Sequence, residues 1–140
     1  PYRRDVEATI TRLSRRAPVV HVSVHTFTPL LRGHRRDVDI GLLFDPARAF
    51  ERRVAAAWGR QLQLALPRLR IRRNKPYKGT DDGLTTHLRA RLPDRRYAGI
   101  ELEVNQRFPR RAGPAWSALQ ESIAASLRAA LLALPEHAAR

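Results

Sequence analysis

Residues 19–29 read VVHVSVHTFTP and residues 97–105 read YAGIELEVN. Both alternate, and on a β-strand alternation sends successive side chains to opposite faces. The first stretch sets Val20, Val22 and Val24 against His21, Ser23 and His25, and the second sets Ile100, Leu102 and Val104 against Glu101, Glu103 and Asn105. An imidazole on one strand and a carboxylate on another are the minimum for metal-assisted hydrolysis. The histidine holds the ion, and a glutamate acts as general base on a water whose pKa zinc lowers to about 7. Each stretch also has an ordinary explanation. A single histidine is commonly satisfied by a neighbouring carbonyl. Two glutamates about 6–7 Å apart on one strand face need nearby cations, or one pKa must rise, and arginine is plentiful in this chain.

Zinc asks for three protein ligands, and the chain offers no obvious trio. His21 and His25 are about 13 Å apart along a strand, too far to share one ion, so His21 reads as structural. His34 falls in a loop, His87 on a surface helix and His137 in the tail, and no spacing among them calls for a metal. Cysteine is absent, which excludes disulfides and thiolate sites. Methionine is absent too, even at position 1, so the gene product is expected to begin upstream of Pro1, with the missing ligands there. Other chemistries fit less well. Ser23 has no G-x-S-x-G context, and an i, i+2 pair on a strand is not expected to align a hydrogen bond with His25. Gly79 and Gly83 are too few and wrongly flanked for a phosphate loop.

The elements that must carry these groups follow from periodicity. Val6, Ile10 and Leu13 give a short helix over residues 3–16 that ends before Pro18, and a strand follows from 19 to 25. TPLLRGHRR reads as a loop, and DVDIGLLF as a strand over 38–44. Asp45 before Pro46 is a helix start. The helix should run from 46 to about 66 on a stripe of Phe50, Val54, Trp58, Leu62 and Ala65 or Leu66. LRIRRN at 69–74 reads as a short strand, KPYKGTDDG as a loop, and Leu84, Leu88 and Leu92 as a short helix. The last helix starts near Pro114, shows Trp116, Leu119, Ile123, Leu127, Ala130 and Leu134, and ends at Pro135. The order α, β, β, α, β, α, β, α is that of an α/β layer fold with helices packed on a central sheet.

With 140 residues, 43% of them hydrophobic, the chain is expected to form a single domain over 1–140. No apolar run approaches the roughly 20 residues that span a bilayer, so no membrane partner is expected, and cytoplasmic residence is the default. A net charge of +14 raises nucleic acid as a partner. Yet all basic residues but Lys75 and Lys78 are arginine, spread through every segment. Zinc-finger spacing, aromatic stacking ladders and basic tails are all missing, which argues against a nucleic-acid-binding module. A relative that has lost catalysis and only binds small anions is the other alternative.

Four stretches, HVSVHTFTP, GHRRDVDIGLLFDP, NKPYKGTDDGLTTHLR and YAGIELEVNQRF, resemble in order the second half of N-formylglutamate amidohydrolases, over residues 1–108. The resemblance implies a fold similar to zinc carboxypeptidases and aspartoacylases: a mixed central sheet flanked by helices, with one zinc at the strand ends. It makes His25 the last protein ligand to that zinc. Glu103 matches the general base, with the register against Glu101 left open. Arg36, Asn74, Tyr77 and Thr80 match positions that hold the substrate's carboxylates. The implied activity is hydrolysis of a small anionic acyl amino acid such as N-formylglutamate. The early metal ligands have no counterpart here, so residues 1–140 would be the carboxy-terminal part of the catalytic domain, incomplete and inactive alone. Two departures, HTF for the commoner HSF and the extra acidic residue of ELEVNQ, leave the substrate open.

Overall fold

The computed structural model describes residues 1–135; His137 lies outside them. Helix α1 (Tyr2–Ser14) leads into strand β1 (Val19–Phe27), and a small hairpin, β2 (Leu30–Leu31) and β3 (His34–Arg35), precedes β4 (Ile40–Leu43). Helix α2 (Ala49–Ala65), β5 (Ile71–Arg73), α3 (Leu84–Arg89), β6 (Tyr97–Asn105) and α4 (Gly113–Ala133) complete the chain. The main sheet runs β1-β6-β4-β5, with β1 parallel to β6, β4 antiparallel to β6, and β5 parallel to β4. This is the expected mixed α/β sheet flanked by helices.

Strand β6 lies between β1 and β4, and with nine residues it is the longer of the two inner strands. Its apolar residues Ile100, Leu102 and Val104 join Ile40 and Leu42 on the back of the sheet, where Phe50, Val54, Trp58 and Leu62 of α2 and Leu119 and Ile123 of α4 cover them. The two helices are also stitched together by polar atoms, Trp58 Nε1 donating to Ser126 Oγ at 3.0 Å. The front of the sheet carries the polar set, and it is covered as well: Tyr97 and Asn105 are buried. A smaller cluster of Ile10, Leu88 and Tyr97 seats α1 and α3 at the front. No helix among the described residues is long and apolar enough to cross a membrane.

Three expectations are corrected. Helix α2 begins at Ala49 rather than 46, because Asp45 Oδ1 accepts from Ala47 N in a preceding turn. The first free amides of the helix, Ala49 N and Phe50 N, donate instead to the carboxylate of Asp94, from a 3-10 turn 45 residues away. TPLLRGHRR is not all loop: Arg32 and Gly33 both take positive φ, as a two-residue hairpin turn requires, and bring β2 against β3. The strand in LRIRRN shortens to three residues, bounded before it by the turn in which Leu69 N donates to the Leu66 carbonyl and after it by the positive φ of Asn74.

Candidate active site

The register of the sheet decides what meets what. His25 stands opposite Glu103, Ser23 opposite Glu101 and His21 opposite Gly99 across β1 and β6. On the other side of β6, Gly41 stands opposite Glu103 and Leu43 opposite Glu101. The imidazole and carboxylate that the sequence placed on separate strands are therefore direct neighbours on one face, near the carboxyl ends of both strands.

The two glutamates, equivalent in the sequence, are not equivalent here. Glu101 Oε1 accepts a 2.6 Å hydrogen bond from Thr85 Oγ1 on α3. Glu103 is only 5% exposed, and its Oε2 is buried with no hydrogen-bond partner among the described residues. Burial pushes the Glu103 carboxyl up, and the charge of Glu101 pushes the same way; the charges of His25 and Arg36 pull it down, but burial prevails. Neither glutamate forms an ion pair with an arginine among the described residues, so a salt-bridged sheet face is not what this pair is. A buried carboxylate oxygen left unbonded is costly, and it belongs to the residue that pairs with His25 across the β1–β6 register.

The segment from Asn74 to Thr80 crosses the front of the sheet beside Glu103. The carbonyl of Lys75 lies over Gly41, where an added Cβ would come within 2.0 Å of it. Gly79 is pressed as closely on the backbone of Phe44. Asn74, at φ 51°, uses its Oδ1 to accept from both Phe44 N and Gly79 N at 3.0 Å, so that oxygen braces the loop. Tyr77 projects from the crest, and its hydroxyl accepts a 2.9 Å bond from Arg36 Nη1. The Arg36 guanidinium also lies 5.0 Å over the Tyr77 ring and 5.7 Å from the Phe27 ring. It is held in place yet has no carboxylate partner among the described residues. Arg36, Asn74, Lys75, Tyr77 and Lys78 line a cavity of about 600 Å³. Thr80 is exposed at the end of the loop. A cavity of similar volume between the end of α2 and the start of α4 is apolar and remote from these groups.

The remaining histidines separate cleanly. His21 is half-buried, with Nδ1 2.8 Å from the hydroxyl of buried Tyr97. Burial lowers its pKa, and Arg89 adds to that, while Glu101 opposes it. His87 reaches Glu7 at 3.2 Å, joining α3 to α1, and His34 is exposed in the hairpin. His25 itself is exposed, and its Nε2 is 2.9 Å from Ser23 Oγ. That bond corrects the expectation that i and i+2 on a strand would not align: β1 is an edge strand among the described residues, so the ring has room to fold back. Among the described residues no three histidine, aspartate or glutamate side chains converge as a metal site. His25 thus fits one corner of a zinc donor set and does not make a site by itself.

Two groups in this region were not singled out from the sequence. Glu51, fully buried on α2, and Arg89, at the end of α3, form an ion pair of 2.9 Å behind the loop. Thr85, also buried, is what distinguishes Glu101 from Glu103. The two contacts, Thr85 to Glu101 and Glu51 to Arg89, span 16 and 38 residues of chain.

The profile of the N-formylglutamate amidohydrolase family matches residues 1–108. No curated protein matches the chain. Among solved structures, the crystal structure of a gene product from Agrobacterium tumefaciens aligns with a TM-score of 0.65 at 27% identity, over 91% of this chain and 49% of that one. The chain spans about half the length of that relative.

Proposed function

The chain belongs to the N-formylglutamate amidohydrolase family, and on that premise we propose that it serves a zinc-dependent amidohydrolase cleaving a small anionic N-acyl amino acid. N-formylglutamate, giving formate and glutamate, is the substrate we put first. The observation that carries this reading is the buried, unbonded Oε2 of Glu103, the residue paired with His25 in the register of β1 and β6.

Glu103 is the general base. A carboxyl raised by burial sits closer to neutral pH than an ordinary one, which suits a group that must both accept and return a proton. It takes a proton from the attacking water as oxygen bonds to the acyl carbon, and gives it to the amide nitrogen as the C–N bond breaks. Glu101, bonded to Thr85, stays in place as a fixed negative neighbour that helps to keep the Glu103 pKa high. Arg36, preset by Tyr77 and Phe27, offers a planar fork to a substrate carboxylate. Tyr77 adds a hydroxyl, Asn74 lines the same cavity, and Thr80 is exposed on the same loop outside that lining. His25 is one zinc ligand in this proposal, with the others supplied from outside the described residues. Zinc, when bound, supplies Lewis acidity toward water and the acyl oxygen.

The test is release of formate from N-formyl-L-glutamate by the full-length protein, before and after chelation. We expect turnover that chelation abolishes and added zinc restores. Absence of turnover on N-formylglutamate and on other N-acyl acidic amino acids would sink the hydrolase reading. Turnover that survives exhaustive chelation would remove zinc from it.

A further inference from the structure

Arg89 has a side chain only 7% exposed, and every nitrogen of its guanidinium is engaged. Nε donates to Glu51 Oε1 at 2.9 Å, Nη2 to the carbonyl of Gly99 on β6 at 2.9 Å, and Nη1 to the carbonyl of Gly79. The carboxylate it pairs with is itself bonded to the backbone: Glu51 Oε1 accepts from Gly99 N at 3.0 Å, and Oε2 from Asp45 N at 2.8 Å. One planar group therefore ties three elements, and one of the three is the loop that carries Tyr77.

Gly79 is held at both of its backbone polar atoms, its N–H by Asn74 and its carbonyl by Arg89. The loop's other anchor is the Lys75 carbonyl seated over Gly41. Between the two anchors only a short crest is exposed, and Tyr77 stands on it, donating nothing to the frame and bonding Arg36. Glu103, by contrast, is placed by the ladders on both sides of β6 and does not depend on Arg89 for its position. We propose that Arg89 is a positioning residue for substrate binding: by fixing Gly79 to β6 it sets the height of the Tyr77–Arg36 subsite over the sheet. Lysine in its place keeps the charge opposite Glu51 but cannot reproduce the fork.

The kinetic part of this inference rests on the hydrolase reading; the clamp itself does not. In the full-length protein, Arg89→Lys should raise KM for N-formyl-L-glutamate about tenfold and leave kcat within about twofold. Amide hydrogen exchange across residues 77–80 should accelerate while that of 97–105 holds. Unchanged KM, or exchange that rises equally in the loop and in β6, would overturn the proposal. If the wild-type protein releases no formate, the hydrolase reading fails and the exchange contrast alone decides the clamp. If Arg89→Lys does not fold, the wild-type protein decides: Arg89 Nη protons that exchange slowly and resolve separately uphold the clamp on the Gly79 and Gly99 carbonyls, and guanidinium protons that exchange at free-arginine rates overturn it.

Discussion

Glu51 and Glu103 are both buried carboxylates on the inner side of the molecule, and the fold treats them in opposite ways. Glu51 meets Arg89 at 2.9 Å, Arg48 at 3.4 Å and two backbone amides. Glu103 has an oxygen with no partner, a like charge for a neighbour and a raised pKa. A carboxylate enclosed by donors is part of the frame. One enclosed without them is a candidate for function, which is the role we propose for Glu103. The difference lies in which partners the two groups are given, since both are out of solvent.

That contrast can be broken most severely at Glu51. Glu51→Gln strips the charge from between two arginines and turns an NH₂ toward the amide of Asp45, so we expect a loss of roughly 3–5 kcal/mol in stability. The shift of the urea midpoint reads it, and a midpoint within error of wild type would show that the hub is dispensable. Glu103→Gln should do the reverse: the melting temperature holds or rises slightly, while turnover of N-formylglutamate falls by at least about 10²-fold. Wild-type turnover in that variant would take the base away from Glu103. The smallest effect concerns a third carboxylate, Asp39, 1% exposed at the start of β4. Burial alone would raise its pKa, but hydrogen bonds from the side chain and backbone of Arg70 and the charge of Arg107 outweigh burial and hold it below the ordinary range. A depressed carboxylate stabilises the fold above its unfolded pKa and loses that contribution as pH falls through the folded value. Acid titration of unfolding below pH 4 should therefore be shallower in Asp39→Asn than in wild type; parallel curves would deny Asp39 the role.

What could be read in advance was whatever depends on near neighbours in sequence. Strand β6 spans the expected residues, with Ile100, Leu102 and Val104 behind and Glu101 and Glu103 in front. The stripe of α2 from Phe50 to Leu62 is buried as its period required. Register was beyond reach, because whether His25 faces Glu101 or Glu103 is set by how β1 slides along β6, and alternation is indifferent to a two-residue slip. For the same reason the two glutamates could not be ranked: Thr85, which ranks them, belongs to another helix. Caps were missed where they came from afar. Asp45 carried the local start signal, but Asp94 satisfies the amides of the helix. Arg89 was one arginine among many until its three bonds could be seen together.

Gly41 and Gly79 mark where one backbone rests directly on another, Lys75 on the first and Phe44 beneath the second. With nothing larger than a hydrogen between the layers, the path of the 74–80 segment is independent of what its outward side chains are. Residues 77, 78 and 80 can therefore be exchanged without moving the main chain that displays them. If the proposed hydrolase reading holds, such an arrangement would separate bond cleavage from the choice of acyl compound, and leave the second open to change by single replacements while the first stays put.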